Sequence, residues 1–402
     1  MSTRFIARQP ILDRQRQIFA YELLFRSGIE NYFTSSSPSP SASVVDSTLL
    51  FGMDNLTGHS RAFVNLSEEA LLKEYALLLP PDKIVCEILE TVPPTAQSLE
   101  ACKRLKKAKY QIALDDFVDQ PEWEPFLEHI DFLKIDFLAT PREKCRSLAQ
   151  RFAGRKIGLL AEKVETREHF EVARALGYSY FQGYFLFRPE VLSQSSVPGS
   201  KIHYLRILAA ASQPELCYEQ VEEILKQDPS LCYKLLRYLN SAAFGLRQEI
   251  HSLRHGMALL GEKELRRWIT VAALIALSDE QPGELIRAAL IRGSFCESAA
   301  KLLQQNGRST DFFLVGLLSM MDVILSRPLG AILQELALAG DVFDALLGSD
   351  NQLRQVFDLL LSYEQADWQQ VSARAAALSL PEEKLPESYA AAVQWTERVL
   401  QG

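Results

Sequence analysis

Histidine is scarce in this sequence, and the last third of the chain has none. The chain of 402 residues contains six histidines, and none lies beyond His255. Zinc and other transition metals are usually held by imidazole or thiolate ligands. A metal centre that needs imidazole ligands is therefore excluded from the region after residue 255.

Paired cysteines and long apolar runs are also missing. None of the six cysteines forms a C-x-x-C pair. The longest apolar stretch, Trp268 to Leu277, is far shorter than the ~20 residues that a membrane-spanning helix needs. The N-terminal segment MSTRFIARQPILDRQ has no signal-peptide apolar core. These absences predict a cytoplasmic protein with reduced thiols and no membrane partner.

An excess of basic residues is missing as well, because the formal net charge is −8. Proteins that bind nucleic acid usually carry a basic footprint, so the composition argues against nucleic acid as a partner. It still allows one small anionic ligand in a local pocket. The length and the 48% of hydrophobic residues predict two or three globular domains.

Short apolar strands alternate with amphipathic helical segments in the first half of the chain. Two of the helical segments are TAQSLEACKRLKKAK and TREHFEVARALG. Successive strand ends lie about 20 to 28 residues apart, which is the size of one βα repeat. This alternation predicts a parallel sheet that is covered by helices.

A polar side chain stands at or near the C-terminal end of each of these strands. In chain order these residues are Asn65, Glu87 with Glu90, Asp115 with Asp116, Lys134 with Asp136, Glu162 and Gln182. One interpretation is that the acidic and amide side chains only cap the following helices. The occurrence at six strand ends, with a lysine and a glutamine included, favours a shared site, because this face of a (β/α)8 barrel holds the active site.

Both ends of the βα region differ from the rest. The first residues, FIARQPILDRQRQIFAYELLFR, predict a hairpin with Glu22 and Arg26 on its second strand. The low-complexity run Thr34–Ser43 predicts a flexible surface insertion rather than a lid. A second boundary lies in RPEVLSQSSVPGS, near residues 188–200.

Beyond this boundary helical patterns dominate and strand signals are absent. Apolar residues recur at helical spacing in segments such as HGMALLGEKELRRWITVAALIAL. We therefore divide the chain into a barrel domain (residues 1–190), a linker (191–200) and an all-α domain (201–402).

Seven short motifs follow one another within the first 190 residues. They are YELLFR, VNLS, CEILE, ALDDF, LKID, AEKVET and QGYFLFRP. Together they resemble the motif series of EAL domains, the cyclic di-GMP phosphodiesterase family. The segments DPSLCYKLLRYLNSAAFG and HSLRHGMALLGEKELRRW resemble an HDOD domain. The resemblance implies an α/β plus all-α fold, in which a modified (β/α)8 barrel with a reversed first strand precedes an HD-related helical domain.

The resemblance also implies a role for each polar residue. Ligands of Mg²⁺ or Mn²⁺ are matched by Glu22, Asn65, Glu87, Asp115 and Asp116, the last at the second metal. Catalytic positions are matched by Lys134, Glu162 and Asp116. Ligand-binding or supporting positions are matched by Arg26, Gln182, Asp136 and Glu90. These residue types suit the chemistry, because hard cations prefer carboxylate and amide oxygens and two such cations can activate water and shield a phosphate.

Two departures from the family pattern lie beside this set. In active members the aspartate pair continues into a small loop with glycine and serine, which helps to organise the second metal and a dimer. Here VDQPEWEPF follows, with no glycine from Phe117 to Phe126, although Glu90 matches the glutamate that anchors the loop. Lys163 stands where the family usually has glycine. We therefore expect a degenerate active site. Whether the protein forms a homodimer is left undecided by the sequence.

The helical half lacks the ligands of an HD-type metal site. At GLLSMMD, Ser319 and Met320 replace the His-Asp pair, and Gly293 occupies the place of an upstream histidine. His251 and His255 have i, i+4 spacing, and a surface or capping role is preferred for them over metal binding. We expect no metal and no catalysis in this domain, which should bind a signalling protein or relay a change of state.

Three functions stay open at this point. The leading hypothesis is a cytoplasmic signalling protein whose barrel binds cyclic di-GMP and hydrolyses it weakly or not at all. The first alternative is an active metal-dependent phosphodiesterase that produces linear pGpG. The second is a scaffold that acts through protein contacts alone.

Overall fold

The chain opens with a β-hairpin of β1 (Arg4–Asp13) and β2 (Ile18–Ser27). This computed structural model describes residues 4–27, 57, 60–184, 199–213, 215–228, 231–232, 235, 238, 253–277, 283–336, 338 and 340–401. The insertion predicted at Thr34–Ser43 lies outside these residues. Asp13 Oδ1 accepts hydrogen bonds from the amides of Gln15 and Gln17, at 2.8 and 2.9 Å, and this aspartate turn explains why the hairpin forms.

Eight strands close into a barrel in sequence order. After the hairpin they are β3 (Arg61–Leu66), β4 (Ile84–Ile88), β5 (Gln111–Leu114), β6 (Phe132–Asp136), β7 (Gly158–Glu162) and β8 (Tyr180–Gln182). Neighbouring strands from β2 to β8 are parallel, whereas β1 is antiparallel to both β2 and β8. The predicted (β/α)8 barrel with a reversed first strand is confirmed.

Helices connect the parallel strands, and local sequence signals set their ends. They are α1 (Glu68–Leu72), α2 (Ala96–Lys107), α3 (Arg142–Phe152) and α4 (Arg167–Leu176). Thr95 and Ser98 form a reciprocal capping box before α2, and the Thr166 hydroxyl accepts the amide of His169 at the start of α4. Gly177 ends α4 with a φ of 107°, which glycine adopts without a steric penalty.

The lower end of the barrel is filled by inward-facing apolar side chains from the first seven strands. These buried residues are Ile11, Ala20, Phe63, Val85, Ala113, Phe132 and Leu160. The rings of Phe19 and Tyr180 pack against them, with their own centroids 4.1 Å apart. Because side chains alternate between the two faces of a strand, the residues two positions away also point into the barrel. This apolar layer is therefore the floor of whatever site lies above it.

By packing, the chain divides into two compact units, Pro189–Asp358 and a second unit that contains Met1–Arg188 with Leu359–Gly402. The helices of Pro189–Asp358 are α5 (Gly199–Ala211), α6 (Tyr218–Lys226), α7 (Leu253–Leu277), α8 (Gly283–Leu302), α9 (Ser309–Leu318), α10 (Met321–Leu325), α11 (Leu329–Glu335) and α12 (Gly340–Leu346). The predicted change to helical structure is confirmed. Among the helices that the structure describes, none has the length and apolar character that a membrane crossing requires.

The last helices of the chain pack with the barrel. They are α13 (Gln352–Glu364), whose final residues belong to the barrel unit, α14 (Trp368–Leu378) and α15 (Leu385–Gln401). Tyr363 is fully buried, and its ring centroid lies 4.9 Å from that of Tyr389. On β1, the buried Arg8 places Nη2 3.7 Å from the carboxylate of Glu397 on α15.

This packing follows from the reversed first strand. β1 continues directly into β2 through a hairpin, so no βα helix lies between them to cover the outer face of β1. The end of the chain supplies that cover. The predicted boundaries, 1–190, 191–200 and 201–402, follow chain order, whereas packing groups Leu359–Gly402 with the barrel.

Helices α8 and α9 approach each other at backbone distance through two glycines. A Cβ at Gly316 would lie 2.3 Å from the carbonyl oxygen of Arg292. A Cβ at Gly293 would lie 3.1 Å from the ring and the carbonyl oxygen of Phe313. Both distances are shorter than ordinary van der Waals contact, so a larger side chain must push the helices apart.

Truncation of Tyr363 should destabilise the barrel. We expect Tyr363→Ala to lower the free energy of unfolding by about 3–5 kcal/mol, the range for a large buried aromatic residue, and to lower hydrogen-exchange protection along β1. Leu78→Ala, at a position that is 64% exposed, is the control and should stay within about 0.5 kcal/mol. Unchanged exchange in β1 would contradict the grouping of the last helices with the barrel.

One added methyl group at the α8–α9 contact should be costly. Gly316→Ala drives a Cβ into the backbone of Arg292, so we expect a loss of about 1–3 kcal/mol of unfolding free energy, or more. Gly307→Ala is the matched control, because nothing lies within 4 Å of a Cβ at that position. Denaturant melts compare the two variants, and equal stability would show that the helices separate freely.

Candidate functional site

A polar layer lies directly above the apolar floor of the barrel. On β2 to β8 each polar residue follows the floor residue of its strand by two positions. On β1, which runs in the opposite direction, the polar residue precedes the floor residue by two positions. The layer consists of Gln9, Glu22, Asn65, Glu87, Asp115, Lys134, Glu162 and Gln182. The structure thus brings the predicted residues at these strand ends to one mouth of the barrel.

A buried lysine lies at the centre of this layer. Lys134 is 1% exposed, and its ammonium contacts four carboxylates. The distance from Nζ is 3.2 Å to Glu22 and 3.1 Å to Asp115. It is 2.8 Å to Glu162, and Nζ also contacts Glu87. One positive charge therefore holds together acidic side chains from four different strand ends.

Burial and mutual repulsion change the protonation of this cluster. Burial lowers the pKa of Lys134, but the surrounding carboxylates raise that pKa well above its ordinary value. Burial raises the pKa of Glu162 to about 8, although attraction to Lys134 opposes the change. Burial and repulsion from Glu22 raise the pKa of Glu87 well above its ordinary value. The lysine is thus charged at neutral pH, and the acidic cluster retains protons in the absence of a further cation.

Amide side chains complete the layer on the hairpin side. Asn65 Nδ2 donates a hydrogen bond to Glu22 Oε1 at 3.3 Å. Gln182 Nε2 donates to Glu22 Oε2 at 2.7 Å and to Gln9 Oε1 at 3.0 Å. Gln9 was not among the residues predicted from the sequence. Its register opposite Glu22 across the hairpin is the signal that could have identified it.

Several acceptor atoms of the site have no donor. In the part of the chain that the structure describes, Asn65 Oδ1, Glu87 Oε2 and Asp116 Oδ1 are buried and accept no hydrogen bond. An unsatisfied buried acceptor is costly, and carboxylate and amide oxygens are the ligands that Mg²⁺ and Mn²⁺ prefer. Together with Glu22 and Asp115, these atoms fit divalent cations.

A second group of carboxylates lies beside the first. Three carboxylate oxygens lie within 4.8 Å of one another, one each from Asp115, Asp116 and Glu162. This spacing suits a metal ion. Asp116 has a φ of 40°, in a region that is strained for a residue with a side chain and that recurs at functional sites. Burial and repulsion from Asp115 raise the pKa of Asp116. Asp115 therefore belongs both to the cluster around Lys134 and to this second group.

An ion pair between Lys163 and Asp136 lies on the rim. Asp136 Oδ1 accepts hydrogen bonds from the amides of Leu138 and Ala139, both at 2.8 Å. Its other oxygen, Oδ2, contacts Lys163 Nζ. The predicted role of Asp136 in ligand binding would require one of these contacts to open.

The other two predicted residues are not part of the layer. Glu90 is exposed after β4 and lies close enough to Asp116 to raise the pKa of that aspartate slightly. Arg26 lies on β2, and its side chain lies outside the described part of the structure.

The segment that replaces the small family loop is folded. Pro121–His129 forms a 3-10 helix. Arg151 on α3 pairs with both Asp119 and Glu124 of this segment. The residues after Asp116 are therefore tied to the neighbouring α3.

A buried arginine lies beside Ser319 and Met320, the positions that were matched to the ligands of an HD-type metal site. Arg292 is 6% exposed, and its Nη1 lies 3.4 Å from Ser319 Oγ and 2.9 Å from Met320 Sδ. Gly293, the next residue, packs against Phe313. A guanidinium at this place repels a divalent cation.

The barrel with one reversed strand, its lysine-centred acidic mouth and the helical region that follows define a class, an EAL-type barrel joined to an HDOD domain. Family models match in the same order, the EAL domain over residues 51–189 and the HDOD domain over residues 198–338. Cyclic di-GMP phosphodiesterase CdgJ of Vibrio cholerae is 35% identical over 99% of this chain and 94% of its own length. The uncharacterized protein YuxH of Bacillus subtilis is 34% identical over 98% of both chains. The chain belongs to the EAL–HDOD family, as its motifs predicted.

Solved structures of EAL proteins match the N-terminal part of the chain. Klebsiella pneumoniae BlrP1, in a complex with calcium and cyclic di-GMP, is 24% identical with a TM-score of 0.39, and the match covers 46% of this chain and 56% of that chain. An EAL domain protein from Listeria monocytogenes is 21% identical with a TM-score of 0.35, over 46% of this chain and 88% of that chain. The matched region thus spans just over half of the BlrP1 chain.

Binding of Mn²⁺ should release protons near neutral pH. Below its pKa of about 8, Glu162 is largely protonated, and it must lose this proton to bind a cation. We expect the affinity for Mn²⁺ to rise between about pH 6 and pH 8, with proton release measured by calorimetry in two buffers of different ionisation enthalpy.

Two variants test the source of these protons. Glu162→Gln should reduce the proton release, whereas Glu171→Gln on the exposed side of α4 should leave it unchanged. An affinity for Mn²⁺ that is flat over this pH range would contradict the assignment.

Proposed function

We propose that the barrel of this protein is a metal-dependent site that binds cyclic di-GMP and hydrolyses it slowly. The observation that carries the proposal is the cluster of four carboxylates around Lys134, with unsatisfied acceptor oxygens of Asn65 and Glu87 beside it. Membership of the EAL–HDOD family and the activity named for CdgJ support cyclic di-GMP as the ligand.

Two groups of residues would hold Mg²⁺ or Mn²⁺. The first position would use Glu22, Asn65, Glu87 and Asp115, and the second would use Asp115, Asp116 and Glu162. When bound, two such cations supply shielding of the phosphate charge and activation of water. The oxygen-rich character of both groups supports Mg²⁺ or Mn²⁺ over softer metals.

The side chains of the mouth provide the positioning. Lys134 Nζ lies 2.8 Å from Glu162 and holds this carboxylate in place, and its ammonium can help to orient the attacking water. As the water oxygen bonds to phosphorus, one ester P–O bond breaks. The attacking water releases one proton to the solvent, and the departing oxygen takes up one proton from the solvent. The product is linear pGpG.

The residues around the second position support slow turnover. The segment after Asp116 is tied to α3 through Arg151, in place of a small glycine-containing loop. Loss of one positioned element can cost about 10²-fold in rate even when the reacting groups are present. We therefore place hydrolysis well below that of an intact EAL enzyme.

The helical domain is assigned a signalling role in this proposal. Arg292 contacts Ser319 and Met320. These contacts favour a role of this region in packing over a role in metal binding. We propose that the domain binds a partner protein or relays the state of the barrel, and that the whole protein works in the cytoplasm.

A full phosphodiesterase activity is the second candidate. The acidic cluster keeps every matched carboxylate and the lysine, and a relative with 35% identity is named as a cyclic di-GMP phosphodiesterase. Only the rate distinguishes this candidate from the first.

Calorimetric titration with cyclic di-GMP, with and without Mn²⁺, followed by chromatography of the products, tests the proposal. We expect binding that depends on Mn²⁺ and slow appearance of pGpG. Glu87→Gln, at a fully buried position, should lose both by about 10²-fold, whereas Glu69→Gln on α1 should behave like the unchanged protein. Rapid pGpG production that is abolished by Glu22→Gln would favour the second candidate. No binding of cyclic di-GMP, with or without Mn²⁺, would leave a protein scaffold.

A further inference from the structure

The ligands of the first candidate cation position already contact a positive charge that belongs to the chain itself. Lys134 Nζ lies 3.2 Å from Glu22 Oε2 and 3.1 Å from Asp115 Oδ1, and it also contacts Glu87 Oε1. Lys134 is buried with these groups, so water screens the contacts only weakly. The ammonium therefore contacts each of the three carboxylates that this position would use.

The remaining ligand, Asn65, leaves few free oxygens for a cation. Both carboxylate oxygens of Glu22 already accept hydrogen bonds, Oε1 from Asn65 at 3.3 Å and Oε2 from Gln182 and Lys134. Asn65 Oδ1 and Glu87 Oε2 are buried and accept no hydrogen bond. Mg²⁺ needs about six oxygen ligands, so the protein offers its full set only when the ammonium releases the carboxylates.

Charge repulsion acts in the same direction. A divalent cation and an ammonium that share the same carboxylates repel each other strongly in a buried site. The ammonium has one partner outside the first position, because Lys134 Nζ lies 2.8 Å from Glu162 Oε1. Lys134 can therefore give up the ligands of the first position and still be paired, which a buried charge requires.

We propose that Lys134 is an internal counter-ion that competes with the divalent cation of the first position. Binding of this cation moves the ammonium away from Glu22, Glu87 and Asp115 and leaves it paired with Glu162. The inference rests on the proposed metal-dependent site. It adds that metal binding at this site exchanges one cation for another, so that the protein binds metal less tightly than the ligands alone would allow.

Electron paramagnetic resonance of free Mn²⁺ measures the affinity for the cation without any nucleotide. At about pH 8, where protons compete least with the metal, we expect Lys134→Met in the full-length protein to bind the first Mn²⁺ about tenfold more tightly. Methionine has a similar length but no charge. Lys134→Arg keeps the charge and should bind Mn²⁺ no more tightly than the unchanged protein.

Thermal unfolding separates competition from a purely structural role. Without metal, Lys134→Met leaves buried carboxylates without their partner, so we expect its unfolding midpoint to fall by about 5 °C. Saturating Mn²⁺ should restore most of this loss, because the cation replaces the missing charge. A residue that only holds the ligands in shape would lower both the stability and the affinity for Mn²⁺ when it is removed.

The chain offers a matched control in Lys106 on α2. Its Nζ lies 2.7 Å from the carboxylate of Asp131, which precedes β6 at the end of the barrel opposite the mouth. Lys106→Met therefore also removes a lysine that is paired with a carboxylate, and it should leave the affinity for Mn²⁺ unchanged.

Nuclear magnetic resonance of the lysine ammonium groups tests the unchanged protein directly and does not depend on the folding of Lys134→Met. A buried ammonium that is held by carboxylates exchanges its protons slowly and gives a separate signal. We expect one such signal, which Lys134→Arg lacks, to move when Mg²⁺ is added, because the partners of the ammonium change.

Four results would overturn the proposal. They are an affinity for Mn²⁺ that Lys134→Met leaves unaltered or lowers, an equal response of Lys106→Met, a Lys134 signal that stays in place while calorimetry shows Mg²⁺ binding, and no binding of Mn²⁺ by either the unchanged protein or Lys134→Met. The last result would also remove the metal dependence from the proposed function. Since no nucleotide is present, failure of cyclic di-GMP binding alone would count against the proposed function and not against the role of Lys134.

Discussion

The ammonium of Lys134 is the interaction on which the barrel mouth depends. Four carboxylates converge on it from separate strand ends, and without a cation they would repel one another in a buried site. A buried charge is tolerated only when it is paired and hydrogen-bonded. Lys134 pairs with the carboxylates, so no external cation is needed to balance them. The protons retained by Glu162 and Glu87 reduce the remaining repulsion. The protein can therefore fold with its acidic mouth assembled before any metal binds.

The alternation of side chains along a strand explains why the site assembles where it does. An apolar floor and a polar layer are two residues apart, so that Val85 lies below Glu87 and Phe132 below Lys134. The same alternation runs backwards on the reversed first strand, which is why Gln9, and not a residue after the floor, completes the layer. Folding of the floor thus positions the polar groups.

The departures from the family pattern are concentrated around the second cation position. The segment after Asp116 is tied to α3, and Lys163 places a charge and a strained backbone beside Glu162. The carboxylates of the first position keep their lysine and their amide neighbours. The proposed slow turnover rests on this difference between the two groups of residues.

The sequence by itself determined the order of strands, the reversed hairpin, the change to helices and the set of polar residues at the strand ends. These features are local, because the periodicity of apolar residues and the ends of strands can be identified within short segments of sequence. Only the tertiary structure decided that Gln9 joins the site, that Lys163 pairs with Asp136 and that Leu359–Gly402 groups with the barrel. The reason is physical: each depends on contacts between residues far apart in the chain. Such contacts are set by strand register and by which apolar surface remains uncovered, and no short segment specifies either.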